Sequence, residues 1–308
     1  MPSSFVPNNT CTCTGTTDGT DGTDGTTTPP TTPPTVVLPS GDLTFLDLSD
    51  DPTDPDNENL SVGDLSGFSG GLRALAGDDT VTGSTSDEAI NGNQGQDVLF
   101  GDSGEDTLRG GQDQDRVFGE GGDDILNGNR GLDLVLGGIG NDLVRGGQDS
   151  DLLVGEKGND TLIGDFGQDL LVGGTGDDLF LLRTDTGVSN NTLSDVILDF
   201  DATDDRIGLT GGLQENDLVF QSFSVALPEL LASVGLFTGE NFQDIIGLTE
   251  EILDPDNNGV VTGTLIQIDP DQDIIGRGDY LGFVVNATTT QVSNRIEQNI
   301  PDTLLGLG

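Results

Sequence analysis

From Ala74 to Leu181 the chain repeats one pattern every nine residues, and this period constrains the fold more than any other feature. Twelve consecutive units keep the register without an insertion. The first position is glycine in eleven units, the sixth is aspartate in eleven, and the eighth is apolar in all twelve. A period held over so many units indicates a repeat architecture in which each unit packs against its neighbours.

The residue types within each unit predict a turn at positions one to six and a three-residue strand at positions seven to nine. Glycine allows positive φ and close approach of backbones in the turn, and the apolar eighth position points to one face of the strand. Two units make one coil, and stacked coils place equivalent strands about 4.8 Å apart. We therefore expect an all-β fold, a right-handed parallel β-roll solenoid of about twelve nonapeptide units.

Stacking also aligns the acidic sixth positions in two columns. Carboxylates at strand spacing repel one another strongly unless cations lie between them. Carboxylate and carbonyl oxygens are ligands that Ca²⁺ accepts and that Zn²⁺ or Cu²⁺ does not prefer, so we expect structural calcium. The first column contains Asp79, Asp97, Asp115, Asp133, Asp151 and Asp169, and the second contains Glu88, Asp106, Asp124, Asp142, Asp160 and Asp178.

Units such as Gly110–Phe118 and Gly173–Leu181 resemble the GGxGxDxUx nonapeptide of RTX, or haemolysin-type, calcium-binding proteins. The resemblance implies a parallel β-roll, Ca²⁺ between successive turns on the same side, and export by a type I secretion system. It also implies that the ligands are the sixth-position aspartates and carbonyls of the glycine turns. Carried over, the aspartates are those of the two columns, and the glycines are Gly92, Gly95, Gly101, Gly104, Gly119, Gly122, Gly128, Gly131, Gly137, Gly140, Gly155, Gly158, Gly164 and Gly167.

Some units depart from this pattern. Ser86 and Glu88 both break it in the second unit, so the pattern predicts calcium sites at the first coil less well than elsewhere. Asp113 and Asp149 replace the fourth-position glycine and either add a carboxylate to a site or turn outward. Residues 73–183 hold 23 acidic and 7 basic side chains, a net charge of −16. Roughly eight to ten Ca²⁺ ions would neutralise that charge.

The composition of the whole chain excludes several functions. The sequence has no histidine, so it contains neither a Ser-His-Asp triad nor an HExxH zinc helix. With 55 acidic and 10 basic residues, nucleic acid and anionic lipid are poor partners. No apolar run is long enough to form a membrane-spanning helix, so we expect no transmembrane segment. Because Met1–Val6 lacks the features of a signal peptide, we expect secretion without one.

The sequence divides into four regions. Residues 1–40 form a Thr/Gly/Pro-rich tail, expected to be disordered, in which the role of Cys11 and Cys13 stays open. Residues 41–73 form an N-terminal cap or irregular lead-in, 74–183 the calcium-binding roll, and 184–308 a β-rich capping region with a secretion signal implied by the resemblance.

In the last region, Val196–Asp201 and Asp205–Leu209 resemble the strand pair that closes such rolls. We expect further strands at Leu218–Phe223, Gly263–Ile268 and Leu281–Val285, and a short helix near Pro228–Val234. Asp254–Gly259 is either an extra calcium loop or an acidic turn, since Leu265 replaces the glutamate that would complete the loop.

One outward face of the roll is unusually apolar. We expect the C-terminal region, another copy of the protein or a surface or matrix partner to cover it; the alternative is a row of crowded aliphatic side chains on an exposed sheet. The apolar side chains include Phe100, Phe118, Leu134, Leu136, Leu152, Val154, Leu170 and Val172.

Together these features predict a secreted or cell-surface calcium-binding protein with no catalysis of its own, whose repeats fold on binding Ca²⁺ outside the cell. The alternative is a carbohydrate-active enzyme or other effector with its active site in residues 184–308.

Overall fold

The computed structural model describes residues 46–47, 59–61, 71–74, 76–183, 194–210, 213–226, 258–269, 280–298 and 300. These residues form a parallel β-solenoid of about six turns, followed by further strands, a 3₁₀ helix at Glu215–Asp217 and one short α-helix. The predicted fold class is therefore confirmed. The tail with Cys11 and Cys13, the predicted helix near Pro228–Val234 and most of the Asp254–Gly259 loop lie outside the described residues.

The strands of the repeat region alternate between two sheets. After β1 (Leu46–Asp47), β2 (Asn59–Ser61) and β3 (Leu72–Arg73), the strands are β4 (Thr80–Ser84), β5 (Ala89–Gln94), β6 (Val98–Asp102), β7 (Thr107–Gln112), β8 (Arg116–Gly121), β9 (Ile125–Arg130), β10 (Leu134–Ile139), β11 (Leu143–Gln148), β12 (Leu152–Lys157), β13 (Thr161–Phe166), β14 (Leu170–Thr175) and β15 (Leu179–Leu182). From β4 to β15, even-numbered strands form one sheet and odd-numbered strands the other.

Neighbouring strands in each sheet pair in parallel with an offset of two nonapeptide units, which is one coil. Leu134 lies opposite Leu152, for example, and Leu143 lies opposite Thr161. The eighth position of every unit points into the space between the sheets, where each side chain is at most 1% exposed. These core side chains are Val81, Ile90, Leu99, Leu108, Val117, Leu126, Val135, Val144, Leu153, Leu162, Leu171 and Phe180.

The strands are longer than the sequence pattern predicted. Most cover six residues and continue through the first three positions of the next unit, where the pattern predicts a turn. Glu156, at a second position, still lies opposite Gly174 in the ladder although its φ is 76°. The three-residue strand was therefore wrong, because the parallel ladder continues through the glycines and only positions four to six form the turn.

The fourth-position glycines are required by both φ and space. At Gly122 φ is 138°, and a Cβ atom would overlap the carbonyl oxygen of Gly104 in the preceding coil. At the adjacent Gly121 the nearest atom to a Cβ, the carbonyl oxygen of Asp102, would lie 3.7 Å away. At fourth positions with the backbone conformation of Gly122, close stacking of the coils thus depends on the absence of a side chain.

Beyond the repeats both sheets continue. The described elements are β16 (Asp195–Ile197), β17 (Arg206–Leu209), β18 (Leu218–Ala226), β19 (Val260–Ile268), β20 (Tyr280–Val285), helix α1 (Thr289–Ser293) and β21 (Ile296–Glu297). β16 pairs in parallel with β14 and β20, and β17 pairs in parallel with β15 and β21. The three strands predicted within residues 218–285 are thus present, each at least as long as expected.

The apolar outward face is partly covered within the chain. Leu152, Leu170 and Val172 are at most 2% exposed and belong to one cluster with residues of the C-terminal strands, among them Phe283 and Leu265. For this half of the face, the structure favours the first of our alternatives, packing with the C-terminal region. Nearer the other end, Phe100 and Phe118 stack on each other at 4.9 Å between ring centroids and remain half-buried.

Two neighbouring glycines allow a test of coil stacking. Gly122→Ala should destabilise the calcium-loaded protein by about 2 kcal/mol or more, because it combines a positive φ with overlap of backbone atoms. Gly121→Ala should change stability by no more than about 0.5 kcal/mol. Thermal unfolding followed by circular dichroism measures both variants, and equal melting temperatures would contradict the stacking described here.

Candidate metal centre

The sixth-position aspartates are buried and form a ladder with the backbone along each column. The N–H of Asp97 donates to Oδ1 of Asp115 at 2.8 Å, and the N–H of Asp115 donates to Oδ1 of Asp133 at 2.8 Å. In the second column, Asp124 and Asp142 are joined in the same way at 2.8 Å. In these pairs the later aspartate holds one oxygen against the preceding coil, and successive members of a column lie in adjacent coils.

The second carboxylate oxygen of these residues has a different environment. In nine of them Oδ2 is fully buried and accepts no hydrogen bond. Buried polar atoms without a partner are rare in folded proteins, and a charged one is especially unfavourable. The nine residues are Asp97, Asp106, Asp115, Asp124, Asp133, Asp142, Asp151, Asp160 and Asp169. An orphaned anionic oxygen repeated at this spacing indicates that the columns require cations.

Backbone oxygens converge on the same places. A Cβ atom at Gly119 would overlap Oδ2 of Asp124 and would lie 2.5 Å from the carbonyl oxygen of Gly137 in the next coil. The two oxygens therefore border one small space that the absence of a side chain keeps open. The same pair of neighbours, an aspartate Oδ2 and a glycine carbonyl, surrounds Gly92, Gly101, Gly110, Gly137, Gly146 and Gly155.

The fourth-position glycines predicted as ligands also turn their carbonyls along the stack. All seven, Gly95, Gly104, Gly122, Gly131, Gly140, Gly158 and Gly167, have positive φ. The carbonyl oxygen of Gly122, for instance, lies where a Cβ of Gly140 would be. Among the described residues no three acidic, cysteine or histidine side chains converge on one point. Any ion between two coils must therefore complete its shell with carbonyls such as these.

Burial makes the charged form of the columns unfavourable. Burial is the main reason that the pKa of Asp97 rises to about 7, although the N–H of Asp79 opposes the shift. The pKa of Asp115 rises to about 8 for the same reason, with a smaller contribution from the charges of Asp133 and Asp97. Burial likewise raises the pKa of Asp142 to about 7. At neutral pH a bound cation would offset both the desolvation and the repulsion.

This donor set fits Ca²⁺. The oxygens are carboxylates and carbonyls, which are hard ligands, and their arrangement repeats regularly between coils. The chain contains no histidine, and its two cysteines, Cys11 and Cys13, lie far from the repeats in sequence, so the ligands that softer metals prefer are missing from the columns.

The units that depart from the pattern also differ in the structure. Glu88 is buried, but one of its carboxylate oxygens accepts from the N–H of Ser84 at 2.7 Å and the other accepts from the hydroxyl of Ser84 at 2.6 Å. Both oxygens of Glu88 therefore have a hydrogen-bond donor. Asp113 and Asp149, for which we left two orientations open, have exposed side chains. Their side chains therefore turn outward. Their φ is 76°, which is positive like the φ of the glycines at the fourth position of other units.

Three acidic residues beyond the repeats were missed by the sequence analysis. Asp195 continues the first column, and Asp205 continues the second, because their side chains accept from the N–H groups of Asp169 and Asp178. Asp199 accepts from both Gly173 and Gly174, at 2.9 and 2.8 Å, and so satisfies the last glycine turn. The sequence does contain a signal for two of them. Residues 195–198 and 205–208 each begin with aspartate and have an apolar residue in third place, as positions six to nine of the nonapeptide do.

The comparisons with known proteins agree with this geometry. The RTX calcium-binding nonapeptide repeat model matches six overlapping segments that together span residues 72–180: 72–99, 82–117, 100–135, 109–144, 118–153 and 145–180. No curated protein matches the chain. Among the described residues, no helix is long and apolar enough to cross a membrane.

The raised pKa values predict how the ion-free roll responds to pH. An unfolded aspartate has a pKa of about 4, so between that pH and about 7 the folded chain holds more protons than the unfolded chain. The free energy of unfolding without calcium should therefore fall as pH rises through this window. In chelator, the β-sheet signal in far-ultraviolet circular dichroism should be larger at about pH 5 than at about pH 8.

Saturating calcium should reverse this dependence, because protons compete with the cation for the same oxygens. A chelator series in which the β-sheet signal grows with pH would contradict the burial of these carboxylates.

Proposed function

Since the chain carries RTX calcium-binding nonapeptide repeats over residues 72–180, we propose that it is a secreted or cell-surface structural protein whose repeat region folds when Ca²⁺ binds between its coils. The observation that carries the proposal is the series of buried Oδ2 atoms without hydrogen-bond partners. Seven of these atoms lie beside a glycine carbonyl oxygen, at the places where a cation would join two coils.

Calcium binding and folding are coupled in this proposal. Without cations the aspartate columns repel one another and the chain, whose net charge is −45, stays expanded. With roughly millimolar Ca²⁺, the range in which extracellular modules bind, the ions neutralise the columns and the coils stack. An unfolded apo chain suits passage through a secretion channel, and folding then takes place where calcium is available.

We propose a structural role without catalysis, such as adhesion or assembly of a matrix or surface layer. The absence of histidine from the sequence removes the usual general base of hydrolases. Roughly eight to ten ions would balance the net charge of −16 carried by residues 73–183. The alternative of a carbohydrate-active enzyme places its active site in residues 184–308, of which a large part lies outside the described residues.

Asp115 and Asp113 provide a matched test, because they lie in one turn and differ in orientation. Asp115 is 1% exposed and points between the coils, whereas Asp113 is exposed. Asp115→Asn should reduce the number of bound Ca²⁺ ions and raise the calcium concentration needed for folding. Asp113→Asn removes the same charge from the surface, so it should leave the number of bound ions unchanged and change the calcium concentration needed for folding much less. Native mass spectrometry measures the number of bound ions, and circular dichroism measures the calcium concentration needed for folding.

The two variants should also differ in chelator. There Asp115→Asn should slightly stabilise the ion-free roll, because it removes a buried negative charge. If both variants bind as much calcium as the unmodified chain, the aspartate columns are not the binding sites.

A further inference from the structure

The two aspartate columns continue beyond the repeats, and they end differently. In the second column, Oδ1 of Asp205 accepts from the N–H of Asp178 at 3.0 Å, and Oδ2 of Asp205 accepts from the N–H of Asp201 at 2.7 Å. Both oxygens of Asp205 therefore have donors, and this column ends in a carboxylate that hydrogen bonds already satisfy.

The first column ends in two carboxyl groups that lie against each other, those of Asp169 and Asp195. Asp169 is fully buried and Asp195 is 6% exposed. The N–H of Asp169 reaches Oδ1 of Asp195 only at 3.3 Å, longer than the 2.7–2.9 Å found in the two ladders within the repeats. Oδ2 of Asp169 accepts no hydrogen bond.

Negative charges of neighbouring aspartates add to the repulsion within this pair. Asp151 and Asp165 are among the charged groups that act on it. The guanidinium groups of Arg145 and Arg183 donate to Asp165. Two apposed buried carboxylates beside further acidic groups require either a cation or a shared proton.

We propose that a Ca²⁺ ion binds between Asp169 and Asp195, which makes Asp195 a ligand outside the nonapeptide repeats. The inference rests on the proposed calcium binding of the repeats and extends it past residue 180, where the family match ends. Gly164, the first-position glycine of the same unit, leaves space beside Oδ2 of Asp169, because a Cβ there would overlap that oxygen.

The position of Asp195 gives this ion a further consequence. Asp195 begins β16, which pairs with β14 of the roll on one side and with β20 of the C-terminal strands on the other. An ion between Asp169 and Asp195 would therefore join the roll to the C-terminal sheet, so that the order of β16 and β20 depends on calcium as the repeats do.

Asparagine at position 195 distinguishes an ion from a shared proton. An amide can replace a protonated carboxyl as donor to Asp169 but lacks the charge that holds a cation. By native mass spectrometry at saturating calcium, Asp195→Asn should bind one Ca²⁺ fewer than the unmodified chain. The control Asp204→Asn, which changes an exposed aspartate beyond the repeats and outside both columns, should bind the same number as the unmodified chain.

Unchanged calcium stoichiometry in Asp195→Asn would overturn the inference while leaving calcium binding by the repeats intact. An unmodified chain that binds no calcium would instead overturn the proposed function. If Asp195→Asn does not fold, infrared spectroscopy of the unmodified, calcium-saturated chain decides. No C=O stretch of a protonated carboxylic acid should appear at neutral pH, and such a band would mean that Asp169 and Asp195 share a proton.

Discussion

The energetics of this protein depend on carboxylates that are buried between stacked coils. Column aspartates such as Asp115 and Asp142 fix Oδ1 with a backbone N–H of the preceding coil, which leaves Oδ2 inside the roll without a donor. Burial raises the pKa values of these groups, to about 7 for Asp97 and about 8 for Asp115, so the ionised columns oppose folding at neutral pH. Folding is therefore coupled to neutralisation of the aspartate columns, and a cation that binds only the folded form stabilises that form.

Glycine makes this arrangement sterically feasible. Without a Cβ, the first-position glycines leave space beside Oδ2, and the fourth-position glycines adopt a positive φ that brings the coils together. Between the two sheets the core adds one apolar side chain per nonapeptide, such as Leu126 or Leu153, and further apolar burial comes from the part of the outward face that packs with the C-terminal strands. We therefore expect a roll with a core this thin and columns this acidic to need the free energy of ion binding to remain folded.

The sequence predicted the elements that follow from the period. The pairing of each strand with its equivalent one coil later, the buried eighth position and the two aspartate columns all follow from a nine-residue register with alternating sheets. The strand length was wrong because glycine at positions one to three suggested a turn, whereas the parallel ladder continues through those residues.

The continuation of the columns was missed for a different reason. Asp195 and Asp205 lie 26 and 27 residues after their partners, Asp169 and Asp178, so the residues inserted after the last unit break the register that identified the others. The outward orientation of Asp113 could not be read from the pattern either, because a positive φ allows aspartate to replace glycine without directing its side chain inward.

A calcium titration of the unmodified chain, started in chelator at neutral pH and followed by far-ultraviolet circular dichroism, tests the central claim most directly. The account predicts a weak β-sheet signal in chelator and a cooperative rise as Ca²⁺ is added, with no such rise on addition of Mg²⁺, which prefers a smaller and more rigid shell. A chain that is fully folded in chelator and unaffected by Ca²⁺ would contradict it, because the buried carboxylates would then be stable without a cation.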